Sequence, residues 1–347
     1  MRFVDYNTII KEAWRGYDDA LQIETVTDIS VRVSTNYVFK VTFSNRPTVF
    51  AKLSYFGTYE LFKEDHSLIN RLSQCLEPPY EDFLARSLTK DDGVYTYHYN
   101  DQQLDAWVVF YRQVEIKKML PKKLEVDQVK VLGQQLARFH LACASCMPDL
   151  PAATKTLSTD IDHLQEIINT PTGHYEHRGH HDAIQHQIEL FYDQLEKLQY
   201  EQFEKQPVFI DWNIGNFSVN EKTEFFSRWD YDWFRICSRV LDFYFFSRVT
   251  SESGDQVVFS YEIDTLMGDR FLVFLKEYHQ VYPLTKKEIL FMKEAYRFFI
   301  LNYVIKDGRY FFHEVYASRL QKEAYEIYFP SIEERFDPQK ILKALSI

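Results

Sequence analysis

The spacing of apolar residues changes character along the chain. Val4 to Trp14 is amphipathic at helical spacing, and from Thr25 the period shifts toward two. Three β-rich runs follow, Ile29–Ser34, Asn36–Phe43 and Thr48–Leu53, broken around Asn36 and by the turn Ser44-Asn45-Arg46-Pro47. They predict a meander of antiparallel strands. Alternation in the third run sets Lys52 on the face that carries Phe50. A helix is predicted from Glu60 to Leu76, with Leu61, Leu68, Ile69 and Leu72 as its apolar stripe. Glu64 lies on this helix. The strand-to-helix return could aim it at Lys52, or the two could be separate solvated charges. Val94–Asn100 and Leu104–Val114 read as two further strands, and Glu115–Lys123, basic and broken by a proline, marks a boundary. Beyond it the spacing is helical over Val126–Cys143, in segments of residues 160–204, over Ser260–Tyr282 and Lys286–Asp307, and in a set from Glu314 to Leu345. The pattern predicts an α+β protein, with a small antiparallel β-rich lobe over 1–114 and a larger, mostly α lobe over 115–347.

One segment of the second part breaks the helical pattern, Pro207 to Asp242. An apolar run (Val208, Phe209, Ile210) delivers Asp211, and a loop through Gly215 delivers Asn216. Phe217–Val219 and Phe225–Trp229 read as strands around the polar turn Asn220-Glu221-Lys222-Thr223, and the second delivers Asp230. The open ends of an antiparallel pair lie side by side, with facing Cα atoms about 5 Å apart. Asn216 enters this hairpin and Asp230 leaves it, so both are expected beside Asp211. Two carboxylates and an amide oxygen suit a hard cation such as Mg²⁺.

Composition narrows the possibilities. With 17% aromatic and 26% charged residues the chain is globular rather than disordered. Only 10 glycines stand in 347 residues, and neither GxGxxG nor GxxxxGKS/T occurs, which argues against Rossmann and P-loop sites. A formal charge of −11 disfavours nucleic acid as a partner and leans mildly toward a cationic small substrate. No apolar run approaches the roughly 18 residues of a membrane span. The N-terminus has no leader pattern and the four cysteines are scattered, so the cytoplasm is the expected compartment.

Phe209-Ile210-Asp211-Trp212-Asn213-Ile214-Gly215-Asn216, followed fourteen positions later by Asp230 in Trp229-Asp230-Tyr231-Asp232, resembles a known catalytic stretch. It is similar to the His-Gly-Asp-Leu-His-x-Gly-Asn and Ile-Asp-Phe/Trp-Asp motifs of the aminoglycoside phosphotransferase and choline kinase-like family. Thr35–Val41 resembles that family's phosphate-covering hairpin, Phe50-Ala51-Lys52 its nucleotide lysine strand, and Leu136-Ala137-Arg138-Phe139-His140 its Leu-Ala-x-Leu-His helix. Leu241-Asp242 resembles the Asp-Leu that opens the next helix, and the matches run in order along nearly the whole chain.

The resemblance implies a bilobal protein-kinase-like fold and ATP-dependent phosphoryl transfer to a hydroxyl of a small molecule. In it Asp211 orients or deprotonates the acceptor, and Asn216 and Asp230 hold Mg²⁺. Lys52, steadied by Glu64, neutralises nucleotide phosphates, and the hinge Phe110, Tyr111, Arg112 and Gln113 meets adenine. Nucleotide and small-molecule acceptor are the partners implied. Phe209 and Asn213 stand where the family has histidines. Phenylalanine can only pack, and this motivates the alternative of a nucleotide-binding or scaffolding protein with impaired catalysis.

Other residues divide between functional and plain readings. His174, His177, His180 and His181 read as a polar surface loop better than as a metal site. Cys143 and Cys146 form a lone CxxC, expected as buried or half-buried thiols. Asp232 is a second carboxylate near the cation or a loop anchor. Asp242 is expected to cap backbone N–H groups as a helix-start residue. Tyr231 and Trp233 either line an acceptor pocket or pack in the core.

Overall fold

The computed structural model describes residues 5–30, 36–254 and 260–347. The chain forms two compact units. The first runs to Glu115 and recruits Asp149–Thr154 and Tyr310–His313; the second holds Ile116–Pro148, Lys155–Arg309 and Glu314–Ile347.

In the first unit, Asp5 accepts from the Asn7 N–H at 3.0 Å and so starts helix α1 (Tyr6–Tyr17), which extends one turn past the predicted stop at Trp14. Its buried face, Ile9, Ile10, Ala13 and Trp14, joins Phe39, Val41, Ala51, Leu53, Val108 and Phe110 in one core. The strands are β1 (Thr25–Asp28), β2 (Tyr37–Thr42), β3 (Val49–Ser54), β4 (Thr89–Lys90), β5 (Gly93–Val94), β6 (Thr96–Asn100) and β7 (Asp105–Arg112). Five of them make an antiparallel sheet of order β1-β2-β3-β7-β6. Helix α2 (Tyr59–Cys75) follows β3, capped by the Thr58 hydroxyl.

The first described strand, β1, lies before the predicted run Ile29–Ser34; residues 31–35, which hold most of that run and the start of the Thr35–Val41 match, fall outside the described set. At the sheet edge β1 buries too little to show apolar alternation. Central β3 does bury, with Ala51 and Leu53 fully covered.

The second unit opens with α3 (Val126–Cys146), α4 (Leu157–Ile168), α5 (Pro171–Glu176) and α6 (His181–Leu198). Two short antiparallel pairs follow, β8 (Gln206–Val208) with β11 (Arg235–Cys237), and β9 (Phe217–Val219) with β10 (Phe225–Arg228). After them come α7 (Phe243–Val249), α8 (Asp269–Val281), α9 (Lys286–Phe299), α10 (Gly308–Phe311, whose last two residues are counted with the first unit), α11 (Glu314–Glu323), α12 (Phe329–Arg335) and α13 (Pro338–Leu345). Ser260–Tyr282 is not one helix as the spacing predicts. A 3₁₀ turn at Ile263–Met267 ends at Gly268, whose extended backbone (ψ 140°) lets α8 begin afresh at Asp269. Lys286–Asp307 also changes form, because α9 passes into a π-helical turn at Ile300–Lys306, with the Asp307 N–H reaching the Asn302 carbonyl at 3.0 Å. Every residue of that turn is buried.

Helix α3 packs against α8 at Gly133, where an added Cβ would stand 2.4 Å from the Phe274 carbonyl oxygen and 3.2 Å from Glu277 Cβ. The first obstacle is backbone and cannot rotate away. Gly133→Ala is therefore expected to push the helices apart and cost about 1–3 kcal/mol by overpacking, read as a lower urea midpoint with unchanged slope.

Candidate functional site

The site is built by two loops bracketed by the short strand pairs. In the hairpin Phe217 faces Arg228 and Val219 faces Phe225, with a bulge between Phe225 and Ser227. The Asn220 side chain shapes its turn by accepting from the Lys222 and Glu224 N–H groups at 2.9 and 3.0 Å. At the open end the Trp229 N–H donates to the Asn216 carbonyl at 3.0 Å. Asp230 follows at once, in the left-handed region with φ 69°. In the other pair Val208 faces Arg235. Residues 209–216 and 229–234 are thus adjacent crossings between the same two ribbons. The Asn216 amide nitrogen reaches the Asp211 carbonyl at 3.4 Å.

Electrostatics tie Asp211 to Asp230. Loss of hydration pushes the Asp211 carboxyl up to about 6, and the Asp230 charge adds to that shift. The Asn213 N–H, donating to Asp211 Oδ1 at 3.1 Å, and the Arg228 and Arg248 charges oppose it. Two carboxylates that repel each other beside an amide suit a divalent cation, which would relieve the repulsion. The donors are oxygens, as a hard cation requires. Among the described residues no group of three or more His, Cys, Asp or Glu side chains could hold a metal, so an amide would have to complete this set.

The support beneath the loop comes from residues distant in sequence. Asp242 stands at the start of α7 but does not cap that helix. Its fully buried carboxylate instead crosses to the loop, where Oδ1 accepts from the Phe209 and Ile210 N–H groups at 2.9 and 2.6 Å. This corrects the helix-start reading. The other oxygen, Oδ2, meets His140 Nε2 at 2.9 Å, and His140 Nδ1 meets the Tyr278 hydroxyl at 2.7 Å. Burial pulls the His140 pKa down against the pull of Asp242, so the ring is neutral, with Nε2–H the donor. This grip holds Ile210 at φ 59°, an unfavourable backbone for a β-branched residue, at the point where the chain turns to present Asp211.

Phe209 packs rather than hydrogen-bonds. Its ring lies 5.4 Å from Phe234, 5.8 Å from Phe139 and 5.9 Å from Tyr231, centroid to centroid. Trp212 is stacked on Phe225 at 5.2 Å. Tyr231 and Trp233 are core residues here. The Tyr231 hydroxyl donates to the Arg228 carbonyl at 2.9 Å, and Trp233 stacks on Tyr303 at 4.3 Å. The Asp232 N–H lies 3.4 Å from Asp230 Oδ1.

Lys52, Glu64 and the hinge residues belong to the first unit, whereas Asp211, Asn216 and Asp230 belong to the second. Lys52 is only 6% exposed, opposite Val38 on β2 and Val109 on β7. Glu64 accepts from the Thr154 N–H at 2.5 Å and from the Thr154 hydroxyl. Phe110 is a core side chain whose carbonyl accepts from the Leu88 N–H at 2.7 Å, and the Arg112 N–H donates to the Arg86 carbonyl at 2.9 Å. The Tyr111 hydroxyl meets buried His66 Nε2 at 2.6 Å. Gln113, beyond the strand end, is exposed.

Several features escaped the sequence pattern. Asp160 on α4 pairs with Arg235 and, at 2.8 Å, with Lys306, whose ammonium is 3.5 Å from Asp307. Burial pushes the Asp307 carboxyl up to about 7, with Lys306 pulling the other way. A carboxyl raised in the fold binds its proton more tightly there than in the unfolded chain. The Asp307 contribution to stability therefore falls as pH rises from about 4 to about 7 and is flat above. Asp307→Asn keeps the shape without the charge, and Lys306 retains Asp160. It is expected to remove that contribution and to stabilise the protein at pH 8 by up to roughly 4 kcal/mol, with little effect at pH 4. Melting temperatures of both proteins across that range check it.

The histidines are not a surface loop throughout. His177 is buried, with Nδ1 at 2.8 Å from the Tyr325 hydroxyl, and His180 stacks on Tyr325 at 3.9 Å. Cys143 and Cys146 are buried thiols on α3.

No protein-family model matches the chain, and no curated protein matches it by sequence. Solved structures do match. Amicoumacin kinase hAmiN, in complex with AMP-PNP, Ca²⁺ and Ami, aligns at TM-score 0.66 and 15% identity over 97% of both chains. The microcompartment-associated aminopropanol kinase aligns at TM-score 0.65 and 14% identity, over 97% of this chain and 99% of the other. A type I macrolide 2′-phosphotransferase aligns at 0.56 and 11%, over 93% and 98%. At such identities the likeness is one of fold, and it extends over nearly the whole chain.

Proposed function

We propose that this protein, which has the α+β fold of the small-molecule kinases, transfers the γ-phosphoryl group of ATP to a hydroxyl of a small molecule. The observation that carries the reading is the convergence of Asp211, Asn216 and Asp230 on two adjacent loops of a chain whose fold neighbours are named as kinases. Phosphoryl transfer asks for positioning and charge stabilisation more than for covalent chemistry by the protein. Asp211 would accept the acceptor hydroxyl's proton or orient that hydroxyl. Asn216 and Asp230 would hold a divalent cation, Mg²⁺ in our reading, which supplies charge neutralisation at the phosphates. Lys52, steadied by Glu64, would neutralise the α- and β-phosphates.

Adenine would meet the hinge. The Phe110 carbonyl and the Arg112 N–H already have backbone partners, and Gln113 at the end of the hinge is exposed. The net charge of −11 and a fold neighbour named as an aminopropanol kinase favour an acceptor that carries an amine. We place the enzyme in the cytoplasm, with nucleotide and acceptor as its partners.

The test is Mg²⁺-dependent formation of ADP and phosphorylated product across a panel of amino alcohols, amino sugars and aminoglycosides. Turnover with one of them, dependent on the cation, is the expected result. A melting temperature raised by Mg²⁺-ATP with no transfer to any member would overturn the kinase reading in favour of a nucleotide-binding protein.

A further inference from the structure

Arg228 ends β10, two residues before Asp230, and has no solvent exposure. Its guanidinium carbon lies 4.2 Å from the centroid of the Trp212 ring and 4.8 Å from that of Phe209. Nη2 donates to the Asp211 carbonyl at 2.8 Å, the same oxygen that the Asn216 amide approaches at 3.4 Å. Nε and Nη1 have no hydrogen-bond partner among the described residues.

As a device for stability this is a poor choice. Withdrawing a guanidinium from water costs several kcal/mol. One hydrogen bond and two aromatic faces return only part of that. A methionine would fill a similar volume without the charge. What the arginine adds is a rigid donor under the residue that presents Asp211, and a positive charge among Asp211, Asp230 and Asp242, all of which act on it electrostatically.

We propose that Arg228, reaching across from the end of β10, is the positioning residue for Asp211. The inference rests on the phosphotransferase reading for its kinetic consequence but not for its structural one. Phe209 contributes a ring face against which the guanidinium packs. Asp242 fixes the loop's entry at residues 209 and 210, Arg228 fixes the carbonyl of 211, and between them the strained Ile210 has no freedom to relax.

The experiment compares full-length wild type with Arg228→Met and Arg228→Lys by hydrogen–deuterium exchange and steady-state kinetics. In Arg228→Met, amides of residues 211–216 are expected to exchange about tenfold faster or more, while those of α3 and of the five-stranded sheet keep wild-type rates. The kcat is expected to fall at least about tenfold with the nucleotide KM changed less than about threefold, the signature of a misplaced group rather than lost binding. Arg228→Lys, which retains the charge and one donor, is expected to recover part of both effects.

Unchanged loop exchange in Arg228→Met overturns the proposal. So does an equal rise across α3 and α8, which would mark a general structural role. If the loop loosens selectively while wild type phosphorylates nothing, the clamp stands and the kinase reading falls. If wild type turns over and the loop stays tight in Arg228→Met, the kinase reading stands and the clamp falls.

Discussion

Replacing Asp211 by asparagine is expected to lower kcat by about 10²–10⁴-fold, the range that a positioned acid–base group contributes. The substitution preserves shape. The Asn213 N–H can still find an oxygen at the former Oδ1 position, and the Asp211 backbone carbonyl keeps its Arg228 and Asn216 donors. It removes the negative charge that would draw the acceptor hydroxyl's proton, and with it the repulsion toward Asp230 that helps to raise the Asp211 carboxyl. Nucleotide affinity is therefore expected to change by only a few-fold, because the proposed cation and phosphate ligands lie elsewhere, at Asn216, Asp230 and Lys52. Phosphorylated product is counted by phosphorus NMR against added Mg²⁺-ATP and the acceptor identified by the panel. Wild-type kcat in the mutant would remove Asp211 from the chemistry. A lost kcat together with lost nucleotide binding would point instead to collapse of the loop.

The hairpin was legible before the structure because its information is local. Asn220 and its neighbours carry turn chemistry, the flanking residues are β-formers, and a polar turn between two such runs brings Asn216 and Asp230 together by geometry alone. The α+β character was legible for a similar reason, as a change of period that central β3 and the long helices impose on their own residues. What stayed hidden was long-range. Nothing near Asp242 in sequence says that its carboxylate will grip residues 209 and 210, and the helix-start position suggested a cap on α7. Arg228 gave only the signal of a charge inside an apolar run. Judged locally, Phe209 was a defect in the motif; with a guanidinium against its ring it becomes part of a different support. The edge strand β1 and the π-helical turn after α9 were missed for a related reason. One buries too little to show alternation, and the other is buried on every side.

Asp242→Ala is expected to be the most damaging single substitution for stability, costing about 3–5 kcal/mol, as for removal of one partner from a buried charged pair. The carboxylate accepts three hydrogen bonds, from two backbone N–H groups and His140, and none of those donors has solvent to turn to. Orphaning the two amides alone costs about 1–3 kcal/mol for each group. The loss is also directed. Without the carboxylate the grip on residues 209 and 210 is gone and only the Arg228 contact at the Asp211 carbonyl is left against the positive φ of Ile210, so the loop that presents Asp211 can relax while the β9–β10 hairpin survives. Asp242→Asn separates the two consequences, since its amide oxygen can still accept from Phe209 and Ile210 while its NH₂ faces the His140 nitrogen. That ring is neutral and can present its lone pair by changing tautomer, at the expense of the Tyr278 contact in its present sense. The asparagine variant should therefore keep most of the stability and an intermediate kcat, and the alanine variant should lose both. Denaturant midpoints and kcat measured on the same samples decide it. If Asp242→Ala unfolds at the wild-type midpoint, the carboxylate is not what holds the loop, and the strain at Ile210 must be balanced by the aromatic packing around Phe209 and Trp212 instead.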